Sequence, residues 1–231
     1  MFKLRRADAR GQADHGWLRS AHTFSFANFY DPQHMGYRSL RVLNEDWVAP
    51  RRGFPPHPHR DMEIITWVIS GAVAHEDNMG NREVLRANEV QRMRAGRGVV
   101  HSEVNPSADE TLHLLQIWIL PQEGGLDPTY DQRPVPVEER RGRWVPLVTP
   151  EGSEGSFDIA QDASLSIRRF LPDESDTITA LPGRGTWVHV VTGAFQLDDT
   201  LLNPGDAFAL EGERRALTCV EEGDLLCFDL G

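Results

Sequence analysis

Cysteine and lysine are almost absent from this chain, and no long apolar run occurs in it. Its two cysteines, Cys219 and Cys227, stand eight positions apart near the C-terminal end with no histidine close in sequence. That spacing makes a poor zinc ligand set and favours free thiols over a disulfide or redox pair. We read the pair as thiols of a reduced cytoplasmic protein, inside or beside one hairpin. The only lysine is Lys3, so nearly all basic residues are arginine. Against 24 basic residues stand 35 acidic ones, a net charge of −11. A chain this acidic offers no basic face for direct contact with nucleic acid or with an anionic membrane. No stretch approaches the ~18 apolar residues of a membrane span. Residues Met1 to Ser20 are charged and lack the apolar core of a signal peptide.

Proline and glycine, by contrast, are plentiful, at 15 and 20, and they punctuate the whole length. Short apolar runs rich in β-branched and aromatic residues alternate with these turn residues, which predicts an all-β protein. The run Glu63 to His75 followed by Asp77-Asn78-Met79-Gly80-Asn81 and then Arg82 to Leu85 reads as a hairpin. Shorter strands are expected at Glu89 to Met93 and His101 to Glu103, and a long one at Leu112 to Leu120.

At 231 residues the chain has room for one large domain or two small ones, and an internal echo favours two. Trp67-Val68-Ile69-Ser70-Gly71-Ala72 resembles His189-Val190-Val191-Thr192-Gly193-Ala194. Asn203-Pro204-Gly205-Asp206 then takes the place of the break at Ala87-Asn88. We expect a tandem duplication, with barrels at residues 1–134 and 135–231. The Pro- and Gly-rich stretch Asp131 to Ser156 reads as the connection.

The chemistry-bearing residues come in two pairs. His57-Pro58-His59 puts two imidazoles at i and i+2, on one face of an extended segment. His101-Ser102-Glu103 does the same with an imidazole and a carboxylate. Pairs on neighbouring strands of a small barrel can converge on one point. Three neutral nitrogens and one carboxylate oxygen suit Fe(II), Mn(II), Co(II), Ni(II), Cu(II) or Zn(II). Spacing alone does not choose the carboxylate, because Glu63 has the same parity as His57 and His59.

The run Gly53-Phe54-Pro55-Pro56-His57-Pro58-His59-Arg60-Asp61-Met62-Glu63 resembles the first motif of the cupins. Gly96-Arg97-Gly98-Val99-Val100-His101-Ser102-Glu103 resembles the second in the form used by pirins. His22-Thr23-Phe24-Ser25-Phe26, Leu40-Arg41-Val42-Leu43-Asn44, His75-Glu76-Asp77 and Leu115-Gln116-Ile117-Trp118 are similarly pirin-like. The likeness covers residues 1 to 130 closely and the remainder more loosely, and is nearest to bacterial pirin-like proteins of the quercetin 2,3-dioxygenase type. It implies a bicupin of two jelly-roll-like barrels. It also implies metal ligands His57, His59, His101 and Glu103. Glu63 then becomes structural or an outer partner, and Glu63 or Asp61 would accept from a ligand ring N–H. The second repeat offers no such set. Thr179 and Leu181 stand opposite His57 and His59, and Leu217 stands opposite His101, while His189 falls mid-strand as a core or interface residue. One ion per chain follows.

The same resemblance implies an oxidoreductase that opens the heterocycle of a flavonol with dioxygen and releases carbon monoxide. The ion, Fe(II) foremost, would serve as Lewis acid and electron relay. Glu103 would be the catalytic base toward the 3-hydroxyl. Phe24, Phe26, Phe29 and Trp47 are candidates for stacking surface, with His22 and Arg41 as further polar candidates near the ion. The rival reading is a metal- or redox-responsive partner protein of the transcriptional kind, docking on protein and not on DNA. A third is another metal-cupin reaction without dioxygen.

Overall fold

The structure is a computed structural model that describes residues 1–231. It is built almost wholly of antiparallel strands in four sheets, two of seven strands and two of four. The chain divides into two compact units. One comprises Gly11–Pro136 with Ile159–Gln161, the other Met1–Arg10, Val137–Asp158 and Asp162–Gly231. Each pairs a seven-stranded sheet with a four-stranded one, the two-sheet plan of a cupin barrel.

The expected first barrel of residues 1–134 therefore differs at its start. Phe2–Arg5 pairs with Ala207–Glu211 and completes the large sheet of the C-terminal unit. In the first unit the equivalent edge is filled locally by Thr129–Pro134 against Glu89–Arg94. Each barrel thus needs one flanking strand. The C-terminal barrel takes its own from the far end of the chain, a pairing that no local pattern signals. The stretch expected as connection carries ordered elements too. These are the helix Val137–Arg140, with Arg140 fully buried on Asp224 at 3.0 Å, and the strand Val145–Thr149.

The run Glu63 to His75 is not one strand. Glu63–Ser70 lies in the large sheet between Glu89–Arg94 and Leu112–Ile119. Gly71, at φ +78°, then turns the chain, and Ala72–Asp77 forms the hairpin with Arg82–Arg86 in the small sheet. Gly193 takes φ +77° at the matching point of the second unit, so the duplicated glycines make the same left-handed corner.

The two units differ in what fills them. In the first, the strand Val99–Val104 alternates strictly, with Val99, His101 and Glu103 inward and Val100, Ser102 and Val104 outward. In the corresponding strand of the second, Arg214–Glu221, the inward positions are Leu217 and Cys219. They pack with Ile178, Phe195, Leu197, Phe208 and Phe170 in a continuous apolar cluster. Side chains occupy the barrel centre where the first unit carries histidines. His189 is buried on the strand Gly185–Val190, within the core of that unit. Both cysteines are free thiols, and burial pushes Cys219 up to about 11 and Cys227 up to about 12.

Candidate metal centre

The site is built on the small sheet of the first unit. Gly53–His59 is its edge strand, paired only with Val99–Val104. An edge is where a strand can carry Pro55, Pro56 and Pro58, because each lacks the N–H that an interior ladder requires. His101 pairs with His57, but Glu103 pairs with Phe54, so Pro55 and Pro56 sit in a bulge, while Pro58 pairs with Val100. Gly53 is held so close to the Glu103 backbone that a Cβ there would lie 2.1 Å from the Glu103 carbonyl oxygen. On the other side of the strand, His101 faces Asp77 and Glu103 faces His75.

His57, His59 and His101 come together, each offering one nitrogen within 4.8 Å of the others. Their rings lie 4.4 Å (His57 to His101), 4.9 Å (His57 to His59) and 4.9 Å (His59 to His101) apart. Burial lowers His59 to about 4, helped by the neighbouring His57. Burial, then the charges of His57, His59 and His75, lower His101 to about 2. Neutral imidazoles with free lone pairs are what a metal ion requires. His101 Nε2 is buried with no hydrogen-bond partner, a cost that an ion in the cluster would remove. The donor set fits a divalent transition metal.

Glu103 lines the same pocket but belongs to a second, overlapping group with His75 and His101. Gln116 Nε2 donates to both its oxygens, at 2.9 and 2.8 Å. Burial, reinforced by the charge of Asp46, raises Glu103 to about 7 against the opposing Gln116 bond. Asp46 itself accepts from Ser20 Oγ, and burial raises it to about 6.

The expected acceptors for the ligand rings are corrected by the structure. Glu63 is fully buried, accepting from Arg94 at 2.7 Å and from the Ala160 N–H at 3.0 Å. Asp61 accepts the Gly125 N–H at 2.7 Å. His57 Nδ1 donates instead to the Pro55 carbonyl at 2.8 Å, and His101 Nδ1 faces His75 Nδ1 at 3.4 Å. The carbonyl is set by the bulge and the second histidine by strand register, so neither follows from side-chain spacing. The His75-Glu76-Asp77 triplet was visible as a motif, yet its place across from the ligands needed the sheet.

A cavity of about 460 Å³ opens over the histidines. Phe26, Phe29, Phe54, Leu18 and Trp118 supply its apolar walls, and His22, Asn44 and Gln116 its polar ones. Two of the four expected aromatics lie elsewhere. Phe24 is a core residue, and Trp47 stacks on His113 at 4.6 Å beneath the Arg19 guanidinium. Trp118 and Phe54 were missed, although the motifs contain both. Trp118 meets His59 edge-on at 4.9 Å. Arg41 reaches the Ser25 carbonyl at 2.9 Å and is a structural tie.

Comparison with known proteins shows the family. Residues 3–119 match the Pirin family model, and residues 146–230 match the quercetinase C-terminal cupin domain. A quercetin 2,3-dioxygenase of Escherichia coli K12 is 43% identical over 231 residues, covering 100% of this chain and 99% of the relative. A pirin-like protein of Caulobacter vibrioides is 38% identical over 224 residues, 96% of each chain. Among solved structures, a bacterial pirin from Escherichia coli in complex with nickel(II) superposes with a TM-score of 0.94. It is 42% identical and covers 100% of this chain and 99% of its own. With both barrels matched at full length, the chain belongs to the pirin family of cupins.

Proposed function

We propose that this protein is a dioxygenase that opens the heterocycle of a flavonol such as quercetin and releases carbon monoxide. The reaction would run at one divalent ion held by His57, His59, His101 and Glu103. The observation that carries this reading is the cluster of three imidazoles, one with an orphaned buried nitrogen, at the foot of an apolar pocket. The full-length likeness to proteins named quercetin 2,3-dioxygenase supports it. We take Fe(II) as the native ion. The nickel bound by the Escherichia coli relative fits the same nitrogen and oxygen donors.

The ion, when bound, supplies Lewis acidity toward a chelating enolate and an electron path between the organic substrate and dioxygen. The chain's own residues do the rest. Phe26, Phe29 and Trp118 provide faces and edges against which a flat polyphenol packs. Glu103, oriented by both bonds from Gln116, accepts the proton of the substrate hydroxyl. The two thiols, neither in a disulfide, suit a reducing compartment, and we place the protein in the cytoplasm.

The test is to load the protein separately with Fe(II), Mn(II) and Ni(II) and to follow flavonol absorbance and carbon monoxide in air and without oxygen. Oxygen-dependent loss of flavonol with stoichiometric carbon monoxide, abolished in His59→Ala, is the expected result. Absence of turnover with every metal would overturn it in favour of the metal-responsive partner protein.

A further inference from the structure

Two positions for an ion are compatible with the donor geometry, and they share His101. One uses His57, His59 and His101. The other uses His75, His101 and Glu103. The hydrogen bonds around Asp77 decide between them.

Asp77 Oδ1 accepts the backbone N–H of Met79 at 2.9 Å and of Asn81 at 3.1 Å. Its Oδ2 accepts Asn81 Nδ2 at 2.8 Å. A carboxylate surrounded by donors has no proton to give. His75 Nε2, 3.0 Å from Oδ2, must therefore be the donor. Both side chains are fully buried, and a neutral imidazole carries one proton. With that proton on Nε2, His75 Nδ1 is bare. Facing it at 3.4 Å is His101 Nδ1, which completes a hydrogen bond only as the donor. That puts the single proton of His101 on Nδ1 and leaves its buried, unpartnered Nε2 as a lone pair. Tyr130 packs against His75 with the rings tilted and their centres 4.6 Å apart.

We infer that Asp77 and His75 are positioning residues: they lock His101 in the Nδ1-protonated form so that Nε2 is presented to an ion held with His57 and His59. This rests on reading the three histidines as the metal centre. It also assigns His75 away from the ion, since its only bare nitrogen is used by His101. The register provides for the arrangement, because Asp77 and His75 lie two apart on one strand, directly across from His101 and Glu103.

The experiment reads the tautomer in metal-free, ¹⁵N-labelled protein by two-bond ¹H–¹⁵N correlation, and Ni(II) affinity by chelator competition. In the parent, His101 should show a protonated Nδ1 and a bare Nε2. In Asp77→Asn the new amide can donate to His75 Nε2. The order of donors then reverses, His101 moves its proton to Nε2, and Ni(II) binds about 10- to 100-fold more weakly. Should that variant fold poorly, His75→Gln and His75→Leu are compared. The glutamine oxygen still accepts from Nδ1 and should keep affinity within a few-fold of the parent, while leucine should lose it by the larger factor. A parent His101 protonated on Nε2 would overturn the inference. So would weakened binding in Asp77→Asn with the tautomer unchanged. The tautomer is read without metal, so it can fail separately from the metal centre, which His57→Ala tests by loss of Ni(II).

Discussion

Asp46 and Glu103 are two buried carboxyl groups on one pocket wall, and burial raises both. A carboxyl raised by folding costs stability where it is ionised, above its folded value. The cost fades as pH falls through that value and vanishes below the unfolded one. In metal-free protein, Asp46→Asn should therefore stabilise at pH 8 by about 3 kcal/mol, since each tenfold weakening of an acid corresponds to about 1.4 kcal/mol. Urea unfolding should show that gain shrinking through pH 6 and gone near pH 4. A gain independent of pH would mean that Asp46 is ionised at no cost. Glu103 stands near 7, so an ion that takes it as ligand must displace its proton at pH 6 but finds it ionised at pH 8. Calorimetry in buffers of different ionisation enthalpy should give nearly one more proton released per ion at pH 6 than at pH 8. Glu103→Gln should remove that extra proton from the difference. His57, His59 and His101 were legible from spacing alone, because period-2 pairing is a property of extended chain. Their hydrogen-bond partners were not, because Pro55 and His75 reach them through a bulge and a strand register.

At the scale of elements, the repeat is a matter of corners. Gly71 and Gly193 take the same positive φ, but their surroundings differ. A Cβ at Gly71 would come 3.1 Å from the Leu112 backbone, whereas one at Gly193 would come 2.5 Å from the Glu221 carbonyl oxygen. An alanine at either site bears the left-handed penalty of roughly 1–2 kcal/mol. Gly193→Ala adds a backbone clash, so it should lower the urea midpoint clearly more than Gly71→Ala. Equal losses would show that the second corner yields. The sequence echo around these glycines made the duplication legible. It could not reveal that Gly71 divides the apolar run between two sheets, since both halves have the composition of a buried strand.

Across the molecule, the two barrels share a plan and divide its uses. The first keeps its centre polar at the cost of buried, unsatisfied groups, among them His101 Nε2 and Gln116 Oε1. The second fills the same place with Leu217, Cys219, Phe195 and Leu197, without such a cost at that point. The sequence made this asymmetry readable from the residues opposite the ligands. The edge strand Phe2–Arg5, lying some two hundred residues from its partner, was hidden from it. Metal stoichiometry tests the central claim most directly. Protein stripped of metal, saturated with Ni(II) and desalted should carry one equivalent per chain by elemental analysis, and none in the His57→Ala/His59→Ala double variant. Two equivalents in the parent, or one retained in the double variant, would contradict a single centre built on those histidines.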